Sequence, residues 1–200
     1  MLNTKIRGVW DRLMRPVGRL VSKGRISPNA VTVTGVVVQG VVALYILQGK
    51  LLVAGLIAIV AGLLDAVDGA VAKASGRTTR FGALLDSTTD RLSDALFFLP
   101  VAWLYGVAPD IAERDEPWVA AIALVALVAS FLVSYVKARA EGLGLECNVG
   151  IAERAERVIL LIAALVFSSL LPAIMVLLAA LSTITVAQRI AHVRSAAAGA

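Results

Sequence analysis

The longest runs without charged residues set the strongest limit on how this chain can fold. Five runs lack Asp, Glu, Lys and Arg, namely 26–49, 51–64, 95–109, 117–136 and 158–188. A helix needs about 20 predominantly apolar residues to cross a bilayer. The first and fourth runs are long enough, and the second and third become so if their helices extend over neighbouring aspartates. The fifth holds two helices if it breaks near Ser168 and Pro172, since proline lacks the N–H that a helix interior needs.

Composition excludes a soluble enzyme and a disordered chain. Of the 200 residues, 59% are hydrophobic and 16% are charged, against about 25% charged residues in soluble domains. A soluble domain of this size leaves about 30% of its unfolded surface exposed, which is more than so apolar a chain can cover with polar groups. We therefore predict an all-α polytopic membrane protein with six transmembrane helices, at about 29–48, 51–75, 82–106, 117–141, 152–170 and 172–193.

The positive charges give the orientation. With six spans, 17 of the 19 Lys and Arg residues lie on the side of the two termini, and only Lys50 and Arg114 lie on the other. Positively charged loops stay in the cytoplasm, so we predict a multi-pass protein of the cell (inner) membrane with cytoplasmic termini. Four or five spans would scatter these charges over both sides. We expect membrane lipid as a partner and no nucleic acid.

Residues 1–25 form a separate cytoplasmic element in this interpretation. Apolar residues from Ile6 to Val21 recur at helical spacing, and basic residues occupy the remaining face. This pattern predicts an amphipathic helix lying in the membrane interface on anionic lipid. A helix packed on another protein domain is the alternative. Residues 26–195 then form the membrane domain, and 196–200 form a C-terminal tail.

Four aspartates fall within the predicted second and third helices. Asp65 and Asp68 are three residues apart, and Asp86 and Asp90 are four apart, so each pair occupies one helix face. A short cytoplasmic turn joins the two helices, which allows the two faces to meet there. Because a carboxylate at membrane depth is costly unless it is paired or bound to a cation, we expect these four side chains to surround bound cations.

The ligand types indicate which cations these are. Oxygen ligands without a nearby His or Cys favour Mg²⁺ or Mn²⁺ over Zn²⁺. Two such ions about 3.5–4 Å apart suit phosphoryl transfer. The sequence therefore predicts two Mg²⁺ ions per site, with Mn²⁺ as the alternative, at the cytoplasmic end of the bundle.

Small residues stand at fixed intervals among the aspartates. The segment reads Asp65-x-x-Asp68-Gly69-x-x-Ala72-Lys73, then eight residues, then Gly82-x-x-x-Asp86-x-x-x-Asp90. It resembles the signature of the CDP-alcohol phosphotransferase family, D-x-x-D-G-x-x-A-R-x8-G-x-x-x-D-x-x-x-D, at seven of the eight fixed positions. Lys73 stands where the family has arginine, and it keeps the charge without the bidentate grip on phosphate. A proton or cation relay in an ion transporter, the competing interpretation of the aspartates, does not explain the glycines.

The resemblance implies a role for each of these residues. Family members transfer a phosphatidyl-type group from a CDP-linked lipid to an alcohol and release CMP. Asp65, Asp68 and Asp86 would hold the metals, and Asp90 would complete the metal site and act as general base. The CDP-lipid would lie against Asn29, Ala30, Val31, Thr32, Gly69, Ala72, Lys73, Thr79 and Gly82. Asn29 also fits a helix N-cap.

A second polar cluster lies at the cytoplasmic ends of the last three predicted helices. Its members are Ser134, Lys137, Arg139, Arg154, Arg157 and Arg189. A phosphorylated acceptor needs such a cluster, whereas a neutral acceptor does not. Positive-inside topology with lipid head-group contacts, or pairing with Glu141, Glu153 and Glu156, accounts for these residues equally well. Charge alone therefore leaves the acceptor open.

The stretches 134–144 and 148–157, together with 1–4 and 27–32, resemble the actinobacterial phosphatidylinositol phosphate synthases of the same family. This resemblance implies CDP-diacylglycerol as donor, 1D-myo-inositol 3-phosphate as acceptor, and a homodimer. The residues implied to bind the acceptor phosphate are Ser134, Lys137, Arg139, Arg154 and Arg189. A phosphatidylglycerophosphate synthase, which takes glycerol 3-phosphate, is the alternative within the family. An ion transporter or a structural membrane protein is the alternative outside it.

Overall fold

The computed structural model describes residues 28–75, 79–112 and 115–198, and the side chains of 32–63, 79–112 and 115–198. These residues form helices joined by short connections: α1 (Pro28–Leu47), α2 (Leu51–Ser75), α3 (Arg80–Gly106), α4 (Pro109–Ala112), α5 (Trp118–Glu141), α6 (Arg154–Val166) and α7 (Leu171–Ala198), with a 3₁₀ turn at Ser168–Leu170. The predicted all-α class is confirmed. The predicted interfacial helix over 1–25 lies outside the described residues.

Among the described residues, two helical stretches are long and apolar enough to cross a membrane on their own, Trp118–Glu141 and Ser168–Ala198. Thr32–Leu47 and Leu51–Leu63 are shorter apolar stretches. As the sequence predicts, α2 continues beyond Leu63 through Asp65 and Asp68, and α3 contains Asp86 and Asp90. The described helices thus lie where six spans were expected, while the six-span topology itself stays a prediction.

The break between the last two helices lies earlier than 170, the predicted end of the fifth helix. α6 ends at Val166, Phe167 leaves the helical region with φ −109° and ψ 73°, and α7 begins at Leu171. Pro172 lies in the first turn of α7, where a missing N–H has no helical partner to lose. The proline therefore marks the start of the second helix, and Phe167 and the 3₁₀ turn end the first.

The six longer helices of the described part close into a ring. α1 packs on α2 and α3, α3 packs on α5, α5 on α7, α7 on α6, and α6 on α2. In this order α3 and α6 stand on opposite sides of the ring. The chain reverses direction between α3 and α5 and again between α5 and α6, so α3 and α6 run the same way. Their N-terminal turns therefore lie at the same end.

Apolar side chains fill the ring at the opposite end. Phe98, Val101, Leu104 and Tyr105 of α3 are buried there with residues of the neighbouring helices, including Val119, Leu161, Leu165, Leu171 and Met175. The buried charged residues, Asp94, Arg157 and Arg189, lie toward the N-terminal end of α3. The two ends of the ring thus differ in chemistry, and the polar end carries the predicted site.

Candidate active site

The predicted site residues belong to helix segments that meet at the polar end of the ring. These segments are the first turn of α1, the C-terminal part of α2, the N-terminal turns of α3 and α6, and the C-terminal parts of α5 and α7. The structure describes the backbone but not the side chains of Asn29, Ala30, Val31, Asp65, Asp68, Gly69, Ala72 and Lys73. The predicted convergence of four aspartates therefore stays a prediction. α1 begins at Pro28, which places Asn29 inside the first turn rather than at the N-cap.

Thr79 begins the segment that carries the second pair of aspartates. It has extended backbone angles, φ −107° and ψ 152°, and its Oγ1 accepts a hydrogen bond of 2.9 Å from the Gly82 N–H. A threonine side chain that accepts from an N–H of the first turn is the usual N-cap arrangement. Two residues predicted to contact the CDP-lipid thus also fix the first turn of α3, one turn before Asp86. Thr32, the other such residue with a described side chain, lies on α1 and is partly buried.

Asp90 has a basic partner on each carboxylate oxygen. Its Oδ1 lies 2.9 Å from Nη2 of Arg154, and its Oδ2 lies 3.4 Å from Nη1 of Arg91. Arg91 Nη1 also donates to the Ser87 carbonyl oxygen at 2.6 Å. The Asp90 side chain is 17% exposed and that of Arg154 is 33% exposed. The predicted general base and a predicted phosphate-binding residue are therefore in direct contact, where water and a solute can reach both.

A second ion pair lies one helical turn deeper. Arg157 Nη2 donates to Asp94 Oδ2 at 3.0 Å, and the two side chains are 2% and 5% exposed. Arg157 belongs to the predicted basic cluster, but its partner Asp94 was given no role. The signal for Asp94 was present in the sequence, because it follows Asp86 and Asp90 at the same four-residue spacing and so occupies their helix face.

Asp86 and Asp90 could hold a hard divalent cation only together with further oxygen ligands. Among residues with described side chains, no three His, Cys, Asp or Glu groups lie close enough to bind one metal ion. Asp86 is exposed and Asp90 is partly buried on α3, and their oxygens are ligands that Mg²⁺ and Mn²⁺ accept. The aspartates of α2, a helix that packs on α1 and α6, would have to supply the remaining ligands.

Three predicted acceptor residues lie on the last two turns of α5. The Ser134 hydroxyl donates to the Ser130 carbonyl oxygen at 3.3 Å. Lys137 Nζ lies 3.9 Å from Glu141 Oε1, an i,i+4 pair with both side chains accessible, and exposed pairs of this kind are weak. Arg139 is exposed. These side chains are accessible enough to turn toward an anion. The Lys137–Glu141 contact, however, is one of the ion pairs that the sequence offered as an alternative to acceptor binding.

Arg189 is more buried than a surface phosphate ligand. Its side chain is 4% exposed, with Nε donating to the Val149 carbonyl oxygen at 2.9 Å and Nη1 to the Val133 carbonyl oxygen at 2.6 Å. It therefore ties the loop before α6 to the end of α5. Its Nη2 takes no part in these two bonds, so the predicted contact with the acceptor phosphate would have to use that nitrogen.

Side chains of α7 hold the loop before Arg154, a feature that the sequence reasoning missed. The Ala152 N–H donates to Thr185 Oγ1 at 3.2 Å, the Ile151 N–H donates to Gln188 Oε1 at 3.2 Å, and His192 Nε2 lies 3.2 Å from the Glu146 carbonyl oxygen. With Arg189, these residues form one polar stripe, which we call the α7 clamp (Thr185, Gln188, Arg189 and His192). Their spacing of three and four residues was the available signal.

Comparison with known proteins bears on the same residues. A model of the CDP-alcohol phosphatidyltransferase family matches residues 25–190. The archaetidylinositol phosphate synthase of Methanothermobacter thermautotrophicus is 35% identical over 198 residues, which cover 96% of this chain and 94% of that protein. The phosphatidylinositol phosphate synthase of Mycolicibacterium smegmatis is 34% identical over 200 residues, which cover 94% of this chain and 87% of that protein.

Crystal structures of the phosphatidylinositol phosphate synthase of Mycobacterium tuberculosis are similar in fold and sequence. The structure with CDP-diacylglycerol bound superposes with a TM-score of 0.80 at 35% identity, over 91% of this chain and 94% of that chain. The complex with manganese and citrate gives a TM-score of 0.79 at 35% identity, over 90% and 88% of the two chains. In these two crystal structures the similar fold binds CDP-diacylglycerol in one and manganese in the other.

Proposed function

This chain belongs to the CDP-alcohol phosphatidyltransferase family, and we propose that it transfers the phosphatidyl group of CDP-diacylglycerol to 1D-myo-inositol 3-phosphate, with phosphatidylinositol phosphate and CMP as products. Membership makes it a transferase of phospholipid biosynthesis. The donor is supported by the similar structure that holds CDP-diacylglycerol. The acceptor is supported by relatives named as synthases of inositol phosphate lipids.

The observation that carries the proposal is the 2.9 Å contact between Arg154 Nη2 and Asp90 Oδ1. A guanidinium binds a phosphate through charge-assisted hydrogen bonds. A carboxylate within hydrogen-bond reach of a hydroxyl can take its proton. An acceptor whose phosphate is held by Arg154 would therefore present a hydroxyl to Asp90. An acceptor without a phosphate would offer the Arg154 guanidinium no anionic group to bind.

The proposed reaction exchanges one P–O bond for another. The acceptor hydroxyl oxygen forms a bond to the lipid-linked phosphorus, the bond from that phosphorus to the CMP oxygen breaks, and Asp90 receives the hydroxyl proton. When the acceptor phosphate arrives, Arg154 turns from the carboxylate to the phosphate and leaves Asp90 Oδ1 to the hydroxyl. Lys137 and Arg139 supply further positive charge to the acceptor phosphate.

The residues that would hold the divalent metals are Asp65, Asp68, Asp86 and Asp90. When bound, such ions polarise the diphosphate and stabilise the negative charge that develops on the leaving CMP. The manganese complex of the similar M. tuberculosis enzyme supports divalent metal use. Thr79 and Gly82, which form the first turn of α3, would lie beside the nucleotide.

We also propose that the enzyme is a multi-pass homodimer of the inner membrane with its site in the cytoplasm. The two apolar helices and the family support a membrane protein. Val33, Val37, Val41 and Leu44 form an exposed apolar stripe on α1. Large exposed apolar surfaces mark contacts with lipid or another protein. The stripe is therefore suited to membrane lipid or to a second copy of the chain.

CMP release from CDP-diacylglycerol tests the proposal. The full chain, purified in detergent with Mg²⁺, is given 1D-myo-inositol 3-phosphate, glycerol 3-phosphate or free inositol in separate reactions. We expect CMP release with inositol 3-phosphate and little with the other two, because only that acceptor has both the phosphate for Arg154 and the ring hydroxyls. A reaction without acceptor is the control for hydrolysis of the donor.

Two results of this assay would contradict the proposal. CMP release with glycerol 3-phosphate in preference to inositol 3-phosphate would identify a phosphatidylglycerophosphate synthase instead. Equal release with free inositol would remove the role of the phosphate and of Arg154.

A further inference from the structure

Two ion pairs cross the ring between α3 and α6, one helical turn apart. The outer rung joins Asp90 to Arg154 at 2.9 Å, and the inner rung joins Asp94 to Arg157 at 3.0 Å. The aspartates are four residues apart and the arginines three, so each helix presents both of its members on one face. Because α3 and α6 run in the same direction, the two rungs are parallel.

The two rungs differ in their exposure to water. The side chains of the inner rung are 2% and 5% exposed, whereas those of the outer rung are 17% and 33% exposed. A solute that enters from the water can separate Asp90 from Arg154, but it cannot reach Asp94 and Arg157. The inner rung therefore keeps its geometry while the outer rung exchanges partners.

The inner rung is an inefficient source of folding free energy. Burying both charges costs desolvation free energy that their mutual attraction often fails to recover. Within the described part of the chain, Arg157 also keeps its Nε buried without a hydrogen-bond partner, which adds to that cost. A well-packed apolar pair would stabilise the same place at least as well. The role of the inner rung is therefore one of positioning, because a directed contact can fix where one helix lies relative to another.

The position at stake is that of the first turn of α6. α6 packs on α2 and α7 and stands across the ring from α3, and at this end the long side chains of Arg154 and Arg157 link the two helices. Arg154 is the first residue of α6, and Arg157 follows one turn later. We propose that Asp94 and Arg157 are positioning residues whose contact holds this turn where Arg154 faces Asp90. The inference rests on the proposed function, in which Arg154 binds the acceptor phosphate.

This role predicts a selective kinetic effect. Without the inner rung, the first turn of α6 loses its deeper link to α3, and Arg154 shifts from its present distance to Asp90. Small displacements in an active site have large kinetic effects, about 100-fold for 1 Å. The contacts proposed for the CDP-lipid lie on α1, α2 and α3 and not on α6. The KM for the acceptor should therefore rise while the KM for CDP-diacylglycerol does not.

Steady-state kinetics of Asp94→Asn and of the double variant Asp94→Leu/Arg157→Met test the inference. In both, the expected KM for inositol 3-phosphate is at least about tenfold higher, the effect of weakening one charge-assisted hydrogen bond. The expected KM for CDP-diacylglycerol is that of the wild type. The double variant leaves no unpaired charge at the inner rung, so its melting temperature should equal or exceed that of the wild type. If the pair only stabilised the fold, a variant of full stability would have an unchanged acceptor KM.

Leu104→Ala is the matched control. Leu104 is fully buried on the same helix at the opposite end of the ring, and its truncation lowers the melting temperature by leaving a cavity. We expect it to leave the acceptor KM unchanged. An unchanged acceptor KM in both inner-rung variants, or an equal rise in Leu104→Ala, would overturn the inference alone. A wild-type protein that releases no CMP with any acceptor would overturn the proposed function and the inference with it.

Discussion

Asp90 meets a different arginine on each of its two oxygens. Arg154 approaches Oδ1 from across the ring at 2.9 Å, and Arg91 approaches Oδ2 from the next position along α3 at 3.4 Å. Arg91 is in turn fixed by its bond to the Ser87 carbonyl oxygen. The carboxylate therefore stays in one orientation, with the Arg154 side open to exchange with a ligand. This orientation suits the role of general base that is proposed for Asp90.

Asp90→Asn should abolish most turnover without unfolding the protein. The amide has the same size and can still accept a hydrogen bond from Arg154, but it cannot take the hydroxyl proton. Loss of a general base lowers kcat by about 100-fold or more. CMP release measures turnover, and thermal unfolding in detergent measures stability.

Asp110→Asn is the control for this substitution. Asp110 is an exposed aspartate of α4, at the apolar end of the ring. The same change there should leave turnover unaltered. Turnover of Asp90→Asn close to that of the wild type would contradict the assignment of Asp90 as the base.

The sequence could identify Asp86 and Asp90 because their spacing with Gly82 follows a family signature. It could not predict that Asp90 touches Arg154. The two residues are 64 positions apart and lie on helices that are not neighbours in the ring. Periodicity gives the face of one helix, but which faces meet depends on how all the helices pack. For the same reason, the sequence could not predict the contact between Asp94 and Arg157.

At the scale of structural elements, the loop between α5 and α6 is held by side chains of α7. Thr185 and Arg189 of the α7 clamp hold its backbone at Ala152 and Val149. Gly150, between these two points, has φ +139°, and a Cβ placed there would lie 2.6 Å from Thr185 Cγ2. The loop leads directly into Arg154. The clamp, through the loop, and the inner rung thus both restrain the start of α6.

Gly150→Ala should destabilise the protein more than Gly144→Ala does. Both glycines have positive φ, but Gly144 at φ +78° has nothing within 4 Å of its Cβ position. Gly144 lies near the left-handed helical region that an L residue can enter at modest cost, whereas φ +139° at Gly150 lies far outside it, and Gly150→Ala also adds a clash with Thr185. We expect a further loss of about 1–3 kcal/mol, the usual cost of overpacking. Denaturation of the two purified variants in the same detergent measures the difference.

Equal stability of the two glycine variants would show that the loop does not pack tightly on α7. A selective rise in the acceptor KM of Gly150→Ala would further show that the loop places Arg154.

The predicted bounds of two helices agree closely with the structure. The predicted helix at 51–75 is α2 (Leu51–Ser75), and the one at 117–141 is α5 (Trp118–Glu141). The run 158–188 contains no charge to mark a boundary, and its break was placed from Ser168, Ser169 and Pro172, with the fifth helix ending at about 170. Proline at the start of a helix does not end the helix before it. The end of α6 at Val166 therefore had to come from the structure.

For the whole molecule, the ring of helices separates an apolar end from a polar end. The apolar end is filled by side chains such as Phe98, Leu104 and Met175. The polar end contains the two rungs and the α7 clamp. Composition and charge predicted the class of protein, while the end at which they place the chemistry stays a prediction. They could not predict the order of helices around the ring, which places α3 opposite α6 and lets two arginines cross the interior.

The kinetics of Arg154→Ala test most directly whether the acceptor phosphate is bound across the ring beside Asp90. The account predicts that the KM for inositol 3-phosphate rises at least about tenfold, since a hydrogen bond to a charged group contributes about 1.5–3 kcal/mol, while the KM for CDP-diacylglycerol stays unchanged. Arg194→Ala, an exposed arginine near the same end of α7, should change neither constant. An equal rise of both constants in Arg154→Ala, or no rise in the acceptor KM, would contradict the account.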